Sequence, residues 1–196
     1  MKKLLRSYIK SVLQEICGGN PQDVEDAFQT AELAHLGQTR RSSGDPYMTH
    51  PLEVARIIRR YYPEEDNLCL AAILHDTLED AVKQGNVNSP DEMRDLIQQS
   101  FGDKKKGNAV LSIVTDLTHD EPADYMQYFM SLLNKPNALI VKLADMLHNL
   151  TDSPSARQAL KYKSALEALK EKPEFISSAH WFALNNAIKS ALNAEQ

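Results

Sequence analysis

Seven apolar residues in a row, Leu68-Cys69-Leu70-Ala71-Ala72-Ile73-Leu74, run directly into His75, Asp76, Glu79 and Asp80. A run apolar on every side leaves no face for water, so it predicts a central, buried helix, here over 65–81. The rest of the chain supplies helices to cover it. Leu5, Ile9, Val12, Leu13 and Ile16 recur at helical spacing up to Gly18-Gly19. Asn20-Pro21 starts a segment carrying Val24, Ala27, Phe28, Ala31 and Ala34, and Pro51 opens another that ends near Tyr61-Tyr62-Pro63. Ser89-Pro90-Asp91-Glu92 joins a cap, a first-turn proline and an acid at the third position. Further helices are expected over 108–119, 122–133, 136–151, 154–171 and 173–193, with Ser153-Pro154 and Lys172-Pro173 as boundaries. Two-residue alternation is missing throughout. The expectation is an all-α chain, one domain over 1–196 with about ten helices.

Composition removes several classes of function. Of 196 residues, 42% are hydrophobic and 25% charged, enough for a real core and too ordered a mixture for a disordered chain. The net charge of −5 argues against a general nucleic-acid coat. No stretch reaches the length of a membrane span, and Arg6, Ser7 and Lys10 interrupt the apolar start of the chain before it resembles a leader. Cys17 and Cys69 are too few for a disulfide framework and read as thiols of a reducing compartment. The chain is therefore expected to be cytoplasmic, with no membrane and no nucleic-acid partner; its oligomeric state stays open.

Chemistry concentrates at one of two His-Asp pairs. His119-Asp120, beside Glu121-Pro122, reads as a solvated turn. His75-Asp76 follows the buried run, and on a continuous helix His75, Asp76, Glu79 and Asp80 would share one arc. Three carboxylates there would repel one another unless a cation neutralised them, or else the cluster is a solvated helix end. Asp145 sits among Leu143, Ala144, Met146 and Leu147 with Asn149 one turn on, so it needs a partner, either a metal ion or a base such as Lys142. His50, where a loop meets a helix in Tyr47-Met48-Thr49-His50-Pro51, is by itself as readily a capping histidine as a ligand.

Together these pieces resemble the HD superfamily of metal-dependent phosphohydrolases, with His50, His75, Asp76 and Asp145 matching its H…HD…D pattern. Ala34-His35-Leu36-Gly37-Gln38-Thr39-Arg40-Arg41, Ser43-Gly44-Asp45-Pro46-Tyr47, the stretch from Ala71 to Asp80, Phe101-Gly102 and the stretch from Val141 to Leu150 are similar to RelA/SpoT-type alarmone hydrolase domains. The resemblance covers about 25–152 and implies an all-helical HD bundle, completed by the helices of 153–196. The layout resembles a stand-alone small alarmone hydrolase, since too few residues follow Asp152 for a further domain. It also implies a nucleotide substrate, ppGpp or pppGpp, from which the 3′-pyrophosphate is removed.

The same resemblance implies one Mn²⁺ ion on His50, His75, Asp76 and Asp145, a set of imidazoles and carboxylates that suits an ion of intermediate hardness. Glu79 and Asp80 would orient water and handle its proton. Arg40 and Arg41 would meet guanine and phosphates, with Lys142 and Asn149 completing the pocket. Tyr47 either lines that pocket or packs the loop. Lys104-Lys105-Lys106 reads as a solvated loop. Departures from the family fall elsewhere: one extra residue in Arg40-Arg41-Ser42-Ser43-Gly44, an apparent insertion over 103–108, Met146 in place of Arg, and Asp152 in place of Thr. Two alternatives stay open: an HD phosphatase for another nucleotide such as NADPH, and a silent module that only binds an alarmone or a protein.

Overall fold

The computed structural model describes residues 15–119 and 124–194. The helix expected around Leu5 to Leu13 and the Asp120-Glu121-Pro122 turn lie outside them. The described residues form α-helices, one 3-10 turn and a single isolated bridge between Thr39 and Pro46. In chain order the helices are α1 (Pro21–Ala34), α2 (Thr49–Tyr61), α3 (Asp66–Leu74), α4 (Thr77–Lys83), α5 (Pro90–Ser100) and α6 (Lys104–Leu117). Then follow α7 (Tyr125–Ser131), the 3-10 turn Leu132–Asn134, α8 (Pro136–Thr151), α9 (Ala156–Ala168) and α10 (Ser178–Asn193). The all-α expectation holds.

The chain divides into two compact units, Met1–Thr118 and His119–Gln196. In the first, α3 is the hub: it packs against α1, α2 and α6. Every side chain from Leu68 to Leu74 is 2% exposed or less, as an all-apolar helix requires. Around it the local signals act as written. Asn20 Oδ1 accepts from the Gln22 amide at 2.9 Å, and Ser89 Oγ accepts from the Glu92 amide at 3.1 Å. Gly107 lets α5 and α6 approach closely, because a Cβ there would lie 2.5 Å from the Gln98 carbonyl oxygen.

Three expectations change here. The helix expected from 108 starts one turn early: Asp103 accepts from the Lys105 amide, and Lys104-Lys105-Lys106 is helical instead of a loop. Within the basic triplet, Lys106 pairs with Asp23 of α1 instead of facing solvent alone. Cys17 and Cys69, both buried, are joined as a disulfide with Cα atoms 5.7 Å apart. Two cysteines sufficed because the fold brings the segment before α1 onto α3. Closing a loop of sequence separation 52 stabilises by about 4 kcal/mol in the chain-entropy picture. With that bond goes the cysteine argument for a reducing compartment. No helix among the described residues is long and apolar enough to cross a membrane.

In the second unit, α8 packs against α9, α10 and the 3-10 turn, and α9 also meets α7 and α10. The His119 ring lies tilted against the Tyr128 ring, centroids 4.6 Å apart, so it is half-buried and packed rather than fully solvated. Helix α10 begins at Ser178, later than Pro173 suggested.

Candidate metal centre and active site

The helix expected over 65–81 breaks at its most reactive point. Helix α3 ends at Leu74, α4 begins at Thr77, and His75-Asp76 form the joint. Side chains take the carbonyls that would have continued the helix: Thr77 Oγ1 donates to Leu74 O at 2.7 Å, and His75 Nδ1 bonds Ala72 O at 2.8 Å. The four ionisable groups therefore do not share an arc of one helix, and the joint sends them to different partners.

Asp76 turns toward the imidazoles. Its Oδ2 lies 3.1 Å from His75 Nε2 and 3.7 Å from His50 Nε2, and it accepts a hydrogen bond from the Tyr47 hydroxyl at 2.5 Å. His50, near the start of α2, and His75 are both buried. One donor atom from each of His50, His75 and Asp76 fits within a 4.8 Å cluster. The chemistry of that cluster tests whether an ion fits. A carbonyl only accepts, so His75 Nδ1 carries a hydrogen, and in the neutral ring Nε2 presents a lone pair. That lone pair faces a carboxylate oxygen, which is also only an acceptor. Positive charge between them, either a proton on the ring or a metal ion, reconciles the two. The set of two imidazoles and one carboxylate suits a divalent transition ion.

Asp80 follows a different path. Its Oδ2 accepts from Gln38 Nε2 at 2.8 Å, and Gln38 Oε1 meets His35 Nδ1 at 2.7 Å. Burial holds the His35 pKa below its ordinary value, against the hydrogen bond to Gln38 and the Asp76 and Asp80 charges. Glu79 is half-buried on α4. The Arg40 guanidinium lies 5.8 Å from the Tyr47 ring centroid, and Arg41 is exposed on the loop. That loop is closed by Arg40 N to Asp45 O and Gly44 N to Arg40 O, both 2.8 Å, with Gly44 at φ +79° making the turn. A cavity of about 340 Å³ opens beside His35, Gln38 and Tyr47. Glu32 lines it and no Arg or Lys does, so it does not favour an anion.

Asp145 belongs to the second unit, on α8, and is buried. Its Oδ2 is 2.9 Å from Lys142 Nζ, and its Oδ1 accepts from Asn149 Nδ2 at 2.5 Å. The base considered as its alternative partner is thus its partner here, and both residues assigned to the substrate pocket hold it. Burial opposes the Lys142 charge, but Asp145 and the Tyr128, Tyr125 and Tyr162 rings keep its pKa well above the ordinary range. Sequence reasoning missed what lies next to it. Lys161 Nζ sits 4.3 Å from the Tyr125 ring centroid and 5.1 Å from that of Tyr162, and burial, followed by Lys142, lowers its pKa. Nothing in the spacing pairs Tyr125 with Lys161, since the fold alone joins α7 to α9. The Gln38–His35 pair was also missed, although His-x-x-Gln at the end of a helix was visible.

The model of the HD domain family matches residues 47–150, a span that contains His50, His75, Asp76, Glu79, Asp80 and Asp145. Among curated proteins, the chain is 30% identical over 149 residues to the bifunctional (p)ppGpp synthase/hydrolase SpoT of Escherichia coli K12, covering 75% of this chain and 20% of that protein. The same identity and coverage hold for the guanosine-3′,5′-bis(diphosphate) 3′-pyrophosphohydrolase of Escherichia coli O157:H7. A GTP pyrophosphokinase of Streptomyces coelicolor is 30% identical over 179 residues, covering 83% of this chain and 19% of its own length. The chain thus spans about a fifth of the length of these relatives. It belongs to the HD-domain family, among its RelA/SpoT-type members.

Proposed function

We propose that this chain is a metal-dependent phosphohydrolase that removes the 3′-pyrophosphate of ppGpp or pppGpp, with Mn²⁺ as its ion. The observation that carries the reading is the lone pair of His75 Nε2 set against Asp76 Oδ2, with His50 beside them. The names of the Escherichia coli relatives supply the substrate class. His50, His75 and Asp76 would hold the ion. A divalent ion held there would supply positive charge to a phosphate oxygen and make water a better nucleophile near neutral pH.

The chain's own groups do the rest. Water attacks the phosphorus on the ribose 3′ oxygen, that P–O bond breaks, and pyrophosphate leaves with the incoming oxygen while the nucleoside regains a 3′ hydroxyl. Glu79 and Asp80 take the proton from water and return one to the departing oxygen. Tyr47 fixes the Asp76 carboxylate through its hydroxyl and offers its ring to Arg40, which with Arg41 meets guanine and phosphates. Lys142 and Asn149 would bind substrate oxygens by exchanging part of their hold on Asp145.

Incubating the purified protein and Mn²⁺ with ppGpp should release pyrophosphate, and orthophosphate release from NADPH or common nucleotides should be far slower. Turnover of NADPH alone would move the substrate class. Intact metal binding with no turnover of any nucleotide would overturn the hydrolase reading in favour of a binding module.

A further inference from the structure

We infer that Gln38, held by His35, is a positioning residue that aims the Asp80 carboxylate; the inference rests on the proposed proton-handling role of Asp80. The polarity of the chain follows from what each group can do. An ionised carboxylate only accepts, so the Gln38 amide must present Nε2 to Asp80 Oδ2, at 2.8 Å. Oε1 then faces His35 Nδ1 at 2.7 Å, and His35 must carry its hydrogen on Nδ1. His35 is buried, and its Nε2 has no hydrogen-bond partner among the described residues. That fits a ring fixed as the neutral Nδ1–H tautomer, with its other nitrogen bare.

The local fold makes this bracket rigid. Helix α1 ends at Ala34, and Gly37 at φ +79° turns the chain so that the Gln38 amide bonds the His35 carbonyl at 3.0 Å. The His35 ring then packs on Tyr47 at 4.6 Å. The Tyr47 amide donates to the Gln38 carbonyl at 3.0 Å, so the two loop residues are tied side by side. One reaches Asp76 and the other Asp80. Gln38 occupies Oδ2 of Asp80, while Oδ1 makes no hydrogen bond among the described residues and is left to exchange a proton. A carboxylate on a short helix would otherwise sample several rotamers; a single donor on one oxygen selects one of them.

The test is a double-mutant cycle with Mn²⁺ and ppGpp. Gln38→Leu should lower kcat about tenfold or more, with KM and Mn²⁺ affinity changed less than about twofold. In an Asp80→Asn background, at enzyme concentrations that make the residual rate measurable, Gln38→Leu should change nothing further. Equal losses in both backgrounds, or a loss confined to KM, would overturn the inference. Nitrogen-15 NMR of the histidines gives a readout independent of activity. His35 should show a protonated Nδ1 and a bare Nε2, and the reverse tautomer would also overturn it. A wild-type protein that binds Mn²⁺ but releases no pyrophosphate counts against the proposed function alone, since the tautomer measurement stands without turnover.

Discussion

Two buried or half-buried aspartates, one in each unit, meet opposite surroundings. Asp145 is already neutralised, with Lys142 on one oxygen and Asn149 on the other. Asp76 faces the Tyr47 hydroxyl and the imidazole nitrogens of His75 and His50, the first of which turns a lone pair toward it. The first arrangement is stable without any added ion; the second asks for positive charge. Residue type did not separate them. What surrounds each carboxylate did, and the group of side chains that could hold an ion among the described residues lies in the first unit.

The strongest way to break this contrast is to make the same substitution in both units. Asp76→Asn should abolish Mn²⁺ binding and hydrolysis together while leaving the metal-free protein folded, because the new amide can donate to an imidazole nitrogen. Asp145→Asn should instead destabilise the metal-free protein by about 3 kcal/mol, since it leaves the Lys142 charge without its carboxylate. Calorimetric metal titrations and urea unfolding of both variants check this, and equal stability losses would erase the distinction.

A second contrast is between the buried histidines. His180 of the second unit is fully buried, and burial pulls its pKa down to about 4 from an ordinary 6.5, against a hydrogen bond to the Leu143 backbone. The unfolded chain therefore takes up this proton first as pH falls. The contribution of His180 is complete above about pH 6.5 and is lost between there and pH 4, a total of about 3 kcal/mol. His180→Leu should flatten that part of the stability curve, and denaturant midpoints of the two proteins between pH 4 and 7 measure the difference. The smallest effect is expected from Tyr47→Phe. Removing one donor from Asp76 should weaken Mn²⁺ binding by about 10- to 100-fold with the fold unchanged, as read by titration calorimetry. An unchanged affinity would return Tyr47 to a purely packing or base-lining role.

Particular elements show what could be read in advance. The run Leu68 to Leu74 announced a hub helix because nothing polar interrupts it, and it lies at the centre of the first unit. Asn20, Ser89 and the prolines marked helix starts because capping needs only residues a few positions apart. His50, His75 and Asp76 were legible as a set only through the family motif, and the structure gathers all three. The break at His75-Asp76 was not legible, since helical periodicity runs straight through it. It depends on Thr77 and His75 capturing two carbonyls, a competition that spacing does not reveal.

The sequence by itself determined the helical class, the hub and the residue types needed for a divalent ion, because these depend on local periodicity, capping and donor chemistry. Only the tertiary structure decided that Cys17 bonds Cys69, that Gln38 reaches Asp80 and that Lys142 and Asn149 already hold Asp145. The first two of these contacts join distant segments, and the two polar ones depend on which rotamer and which oxygen a neighbour leaves available. Those choices are made by tertiary packing.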